Sequence, residues 1–199
     1  MAEWCTLLTL VTGTADRIGH EVYNLQRTEI GEVKEGFVVG TVGSITMPHK
    51  RNPEIGEHLG TLSRVVRHLG AAMLEGLVHD HERDGRSWKT EWHAIPEATM
   101  LASRAIELLK ELASRLEVDE ARMRANLEAS GGFVLSEGIM LALAPRLGRD
   151  TAHRLLYETS IAARERGQTL IEAVRATPVI CAAFGARDLD LLLDYSSHT

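Results

Sequence analysis

The side chains best suited to chemistry stand in one run, Gly43-Ser44-Ile45-Thr46-Met47-Pro48-His49-Lys50-Arg51-Asn52-Pro53. Gly36, Gly40 and Gly43 loosen the backbone and Pro48 and Pro53 stiffen its far end, so the run reads as a loop passing into a rigid helix start. Asn52-Pro53-Glu54 predicts that start: Asn52 as the side-chain cap, proline at the first helical position, then an acid in the first turn. The free amides and positive dipole end of the helix would then lie beside Lys50 and Arg51 and form an anion site. A serine hydroxyl is a poor base unless its alkoxide is stabilised, and an electropositive, water-poor loop end would stabilise Ser44 while holding a carboxylate. Proton removal next to a carboxylate is the chemistry that suits these residues. On residue types alone the plainer reading, a cap beside a solvated Lys-Arg turn, has the advantage.

A second cluster, His79 to His93, holds three histidines, four carboxylates and the cations Arg83, Arg86 and Lys89. His79, His81 and Glu82 could chelate a metal from an extended segment, but dense cations oppose a dication, and no metal or other cofactor is expected. A charged turn between helices is the bland alternative. Trp88 and Trp92 flank Glu91 in this polar stretch and read as pocket-lining side chains.

The elements that must position these clusters are helices. Leu8, Val11, Ala15, Ile18, Val22 and Leu25 recur at steps of three and four in a first helix ending near Thr28, the seam of a helix packed nearly parallel to others. Ile55, Leu59, Leu62, Val66, Leu69, Met73 and Leu77 give the same seam to a helix from Pro53 to about Leu77. Ala98, Leu101, Ala105, Leu108, Leu112 and Leu116 give it to a third, from about Pro96 to Leu116. Beyond Asp119 the helices shorten, to Asp119–Ala129, Ser136–Leu147, Asp150–Arg166, Thr169–Ala176 and Asp188–Tyr195, punctuated by glycines and Pro178. No strand alternation is found. The expected fold is all-α: part of a long-helix bundle over 1–117, with the loop at 36–53, then a smaller helical C-terminal domain over 118–199.

Length and composition are compatible with this. The 199 residues are 44% hydrophobic, enough for a sizeable core. A net charge of -6 with mixed signs argues against a nucleic-acid surface. No apolar run approaches the ~18 residues of a membrane span, and Cys5 and Cys181 imply no disulfide framework. A cytoplasmic location is expected.

GSITMPHKRNP resembles the signature loop of the fumarase/aspartase superfamily, G-S-S-x-M-P-x-K-x-N-P, departing only at Ile45. The resemblance implies that Ser44 is the catalytic base taking a proton from the carbon next to a carboxylate. It implies that Lys50 and Asn52 hold that carboxylate as an aci-carboxylate intermediate forms, and Met47 is grouped with them as substrate-binding. Leu25 to Glu35, LQRTEIGEVKE, resembles the superfamily stretch leading into that loop. His81, Glu82, Arg83, Trp88, Glu91 and Trp92 resemble the H-E-R-x-x-G-x-W-x-x-E-W stretch of 3-carboxy-cis,cis-muconate cycloisomerases, with Arg86 at the glycine position. Arg83, Arg86 and Trp88 are accordingly expected to touch substrate. Adenylosuccinate lyases share the loop and the His81–Asp84 run but carry a serine pair and an arginine where Trp88, Lys89 and Trp92 stand.

The resemblance implies a small di- or tricarboxylate substrate, a helical homotetramer and active sites built from three subunits. Superfamily members are longer, and the segments that supply a general-acid histidine are not seen in this sequence. The chain reads as a fragment, inactive alone, of a lyase or cycloisomerase most similar to carboxymuconate cycloisomerase. The alternatives are adenylosuccinate lyase and a non-catalytic helical assembly module.

Overall fold

A computed structural model describes residues 1–36, 46–47 and 50–198. The expected base Ser44 lies outside the described residues. The chain divides into two compact units, Met1–Arg122 and Met123–Thr199. The division falls a few residues after the boundary expected at 117, inside a helix that runs from Glu120 to Ala129.

In the first unit, α1 (Ala2–Leu25), α2 (Glu54–Glu75) and α3 (Gly85–Arg115) pack on one another. The buried face of α1 is rotated slightly from the expected seam: Thr12 and Gly19 are buried, whereas Val11 and Ile18 are 37% and 45% exposed. The reason is close approach. A Cβ on Gly56 of α2 would stand 2.7 Å from the Gly19 carbonyl oxygen, so the helices cross backbone to backbone where only glycine fits. Thr12 is tolerated in the core because its hydroxyl donates to the Leu8 carbonyl at 2.9 Å. Small residues do the same for α3, where Ala94, Ala98, Ala102 and Ala105 are buried.

Two expectations change here. The third helix starts at Gly85, well before Pro96, which sits exposed inside it. Proline has no N–H for the carbonyl four residues back, that of Trp92, but the alanine face continues through it and holds the helix together. A two-residue antiparallel ladder, not expected from the sequence, also forms: β1 (Val33–Lys34) pairs with β2 (Glu117–Val118), Val33 opposite Val118 and Lys34 opposite Glu117. Strands this short carry no alternation to detect.

The second unit surrounds one core, whose buried members include Leu135, Ile139, Leu143, Leu156, Leu170 and Ile180. It is built from the end of α4 (Glu120–Ala129), then α5 (Ser136–Leu147), α6 (Arg149–Glu165), α7 (Leu170–Ala176), α8 (Pro178–Ala183) and α9 (Ala186–Leu192). Thr169 and Glu172 form a reciprocal capping box at the start of α7. Pro178, expected as punctuation, opens α8 at its first turn. Among the described residues no single helix is long and apolar enough to cross a membrane.

Candidate functional site

The expected carboxylate-holding residues stand just before α2. Lys50 is exposed and its ammonium forms no ion pair among the described residues; Asn52 is half-buried and Met47 exposed. The N-cap of α2 is Pro53, not Asn52, and the capping side chain comes from elsewhere in the chain. The Glu35 carboxylate accepts from the Ile55 N–H at 3.0 Å and the Gly56 N–H at 2.7 Å. The helix amides expected to bind an anion are therefore filled by the protein's own carboxylate.

Glu35 is 8% exposed. Burial pushes its carboxyl above the ordinary range; the two amides pull it down, and nearby Glu54 and Glu57 push it up again. Gln26 ties the same region together. Its side-chain amide accepts from the Glu35 N–H at 2.9 Å and donates to the Arg51 carbonyl at 3.2 Å. The Arg51 guanidinium lies 3.6 Å from the Glu117 carboxylate on β2.

The other cluster occupies the turn between α2 and α3 and the first turns of α3. Asp84 caps α3, accepting from the N–H groups of Arg86 at 2.8 Å and Ser87 at 2.9 Å. Hydrogen bonds from the Ser87 and Asp80 amides lead the causes that lower its carboxyl to about 2. His81 adopts a left-handed backbone, φ 59°, in the turn before this cap. The Arg83 guanidinium lies over the Trp88 ring at 4.3 Å, and Trp88 meets Trp92 edge to face at 4.6 Å. Arg86 is engaged by Asp80 at 2.8 Å and Asp84 at 3.4 Å. No group of three or more metal-binding side chains converges among the described residues, His79, His81 and Glu82 included.

Comparison with known proteins adds to this geometry. Residues 1–67 match the family model described as Lyase, and residues 132–199 the one described as Adenylosuccinate lyase C-terminus. N-acetyl-S-(2-succino)cysteine lyase of Dickeya dadantii is 39% identical over 197 residues, covering 99% of this chain and 43% of that protein. The 3-carboxy-cis,cis-muconate cycloisomerase of Pseudomonas putida is 36% identical over 190 residues, covering 96% of this chain and 45% of that protein. The crystal structure of 3-carboxy-cis,cis-muconate lactonizing enzyme from Pseudomonas putida matches with a TM-score of 0.83 at 35% identity, over 98% of this chain and 43% of that one. The chain belongs to the fumarase/aspartase superfamily. It spans less than half the length of these relatives.

For a superfamily chain the two clusters are informative in their separation. They lie at opposite ends of α2, whose 22 residues span about 33 Å at ~1.5 Å per residue. Lys50 and Asn52 are brought together at one end, Arg83, Arg86 and Trp88 at the other, and one chain does not join them.

Gln26 and Glu35 escaped sequence reasoning as functional residues. The one signal pointing to them was their place within Leu25 to Glu35, the stretch that resembles the superfamily lead-in to the loop.

Proposed function

We propose that the protein containing this chain removes a proton from the carbon next to a carboxylate of a small di- or tricarboxylate. Ser44 is the base in this reading. Its alkoxide takes the proton, and the electron pair moves into the carboxylate as an aci-carboxylate that Lys50 and Asn52 hold. A double bond then forms as the leaving group departs with its electron pair and is protonated by an acid supplied elsewhere in the assembly. The observation that carries this reading is the placing of Lys50 and Asn52 directly before α2, on a helix start whose amides Glu35 already fills. Anion binding then falls to the exposed Lys50 ammonium and its loop neighbours, not to the helix backbone.

Similarity to the N-acetyl-S-(2-succino)cysteine lyases favours a 2-substituted succinate, from which elimination releases fumarate and a thiol. Ring closure of 3-carboxy-cis,cis-muconate is the second reading, favoured by the Arg83–Trp88–Trp92 cluster, which sets a cation beside two indole rings. We further propose that the protein is a homo-oligomer, because two ends of α2 about 33 Å apart at ~1.5 Å per residue serve one site only if different subunits supply them.

The test is an ultraviolet assay with N-acetyl-S-(2-succino)cysteine, 3-carboxy-cis,cis-muconate and adenylosuccinate, on the protein as it occurs in its source and its Ser44→Ala variant. Turnover of the first, lowered about 10²–10⁴-fold by Ser44→Ala with assembly unchanged, is expected for loss of a positioned base. Full activity in Ser44→Ala would sink the mechanism. Turnover of the muconate alone would move the assignment to cycloisomerisation.

A further inference from the structure

We infer that Glu35 and Gln26 form a clasp that positions Lys50 and Asn52 for carboxylate binding. The inference rests on the reading of those two as carboxylate-holding residues.

One knot of hydrogen bonds ties the chain before residue 36 to the chain after residue 50. On the earlier side the Glu35 N–H donates to the Gln26 side-chain oxygen at 2.9 Å. On the later side the Gln26 side-chain nitrogen donates to the Arg51 carbonyl at 3.2 Å. One carboxamide, projecting from the residue after α1, thus joins Glu35 to Arg51. The Glu35 carboxylate then crosses to α2 and takes the Ile55 and Gly56 amides, fixing the first turn of the helix that Lys50 and Asn52 precede. Arg51, between those two residues, is tethered a second time by Glu117.

The arrangement also has an electrostatic consequence. A carboxylate on the amides of α2 answers the positive end of that helix from within the protein. A substrate carboxylate then meets no competing backbone site there, and its place is set by Lys50 and Asn52. Gln26 and Glu35 touch no substrate in this account; they are positioning residues.

The experiment uses Glu35→Gln, Gln26→Met and Lys50→Met, singly and as the Gln26→Met/Lys50→Met pair, in the protein as it occurs in its source. Glu35→Gln can still accept one amide but not two. Hydrogen exchange at Ile55 or Gly56 should therefore rise about tenfold, the equivalent of one ordinary hydrogen bond. Gln26→Met keeps length and loses both tethers, so kcat/KM on N-acetyl-S-(2-succino)cysteine or 3-carboxy-cis,cis-muconate should fall about 10–100-fold with assembly unchanged. In the Lys50→Met background the same change should have much less effect, because the residue being positioned is gone. A merely structural role would lower stability and leave that coupling absent. Unchanged exchange at both amides in Glu35→Gln overturns the clasp, and equal losses with and without Lys50 overturn the positioning claim. Failure of the underlying reading shows separately, as no turnover of either substrate by the unsubstituted protein. The positioning claim then falls with it, while the exchange result still decides whether the clasp exists.

Discussion

Two helices of the first unit begin under a carboxylate that accepts two of the helix's own amides, and the two carboxylates differ in distance along the chain, burial and titration. Asp84 caps α3 from the adjacent residue, at a partly exposed turn. Glu35 caps α2 from 20 residues away and is buried. Both accept two amides of the helix they cap, yet Asp84, which also accepts the Asp80 amide at 3.2 Å, is lowered to about 2 while Glu35 is raised, because at Glu35 desolvation is the largest influence and at Asp84 the amide bonds are. A local cap shapes a helix end. A remote, buried one joins distant segments, here Glu35 and the start of the helix that Lys50 and Asn52 precede.

The comparison breaks most visibly at Glu35. Glu35→Ala leaves two amides without an acceptor beside the α1–α2 crossing, and should lower unfolding free energy by about 2–3 kcal/mol in urea titrations. Its pH dependence sharpens the contrast. A raised carboxyl means that the folded state holds the proton more tightly than the unfolded one. Just above the ordinary value of 4.5, the Glu35 contribution to stability therefore falls as pH rises through the elevated folded value. Asp84 has the opposite sign: its contribution is present above 3.8 and is lost as pH falls towards about 2. Stability measured against pH should lose the first slope in Glu35→Gln and keep the second; an unchanged slope above 4.5 would remove Glu35 as its source.

Next in size is Gly56→Ala. The added methyl would stand 2.7 Å from the Gly19 carbonyl oxygen and 3.5 Å from the Glu35 carboxylate, so either α1 or the cap must shift. Overpacking of this kind costs about 1–3 kcal/mol, and thermal unfolding should show it. A neutral result would mean that α2 can slide on α1 and that the clasp tolerates the movement.

Legibility in the sequence divides along the same line between local and remote. Helical periodicity gave the all-α class and most of the first unit's core, because Leu59, Val66, Met73, Leu108 and Leu112 repeat within their own helices. Lys50 and Asn52 were readable from one contiguous string. The Asp84 cap was also written locally, but Pro96 competed with it as a helix start and the dense charges around it suggested a turn. Val11 and Ile18 misled because hydrophobicity outranks size in a seam, whereas the crossing selected Gly19 for its missing side chain and the same face of α1 buried Thr12, whose hydroxyl is satisfied by the Leu8 carbonyl. Glu35 could not be read from spacing, since the amides that it fills belong to another element.

The smallest predicted effect tests whether the start of α3 is as unencumbered as the start of α2 is crowded. Gly85 is the first residue of α3, is exposed, and would bring an added methyl within 4 Å of nothing. Its φ lies outside the left-handed range that requires glycine, so alanine meets no backbone strain. The substitution should then act through the unfolded chain, which has fewer conformations to lose when glycine is replaced. Gly85→Ala should raise stability by about 0.5 kcal/mol in the same urea titrations, opposite in sign to Gly56→Ala. A destabilising Gly85→Ala would mean that the turn before α3 needs glycine for a contact made outside this chain. The Arg83–Trp88 end of α2 would then be the surface where that contact forms.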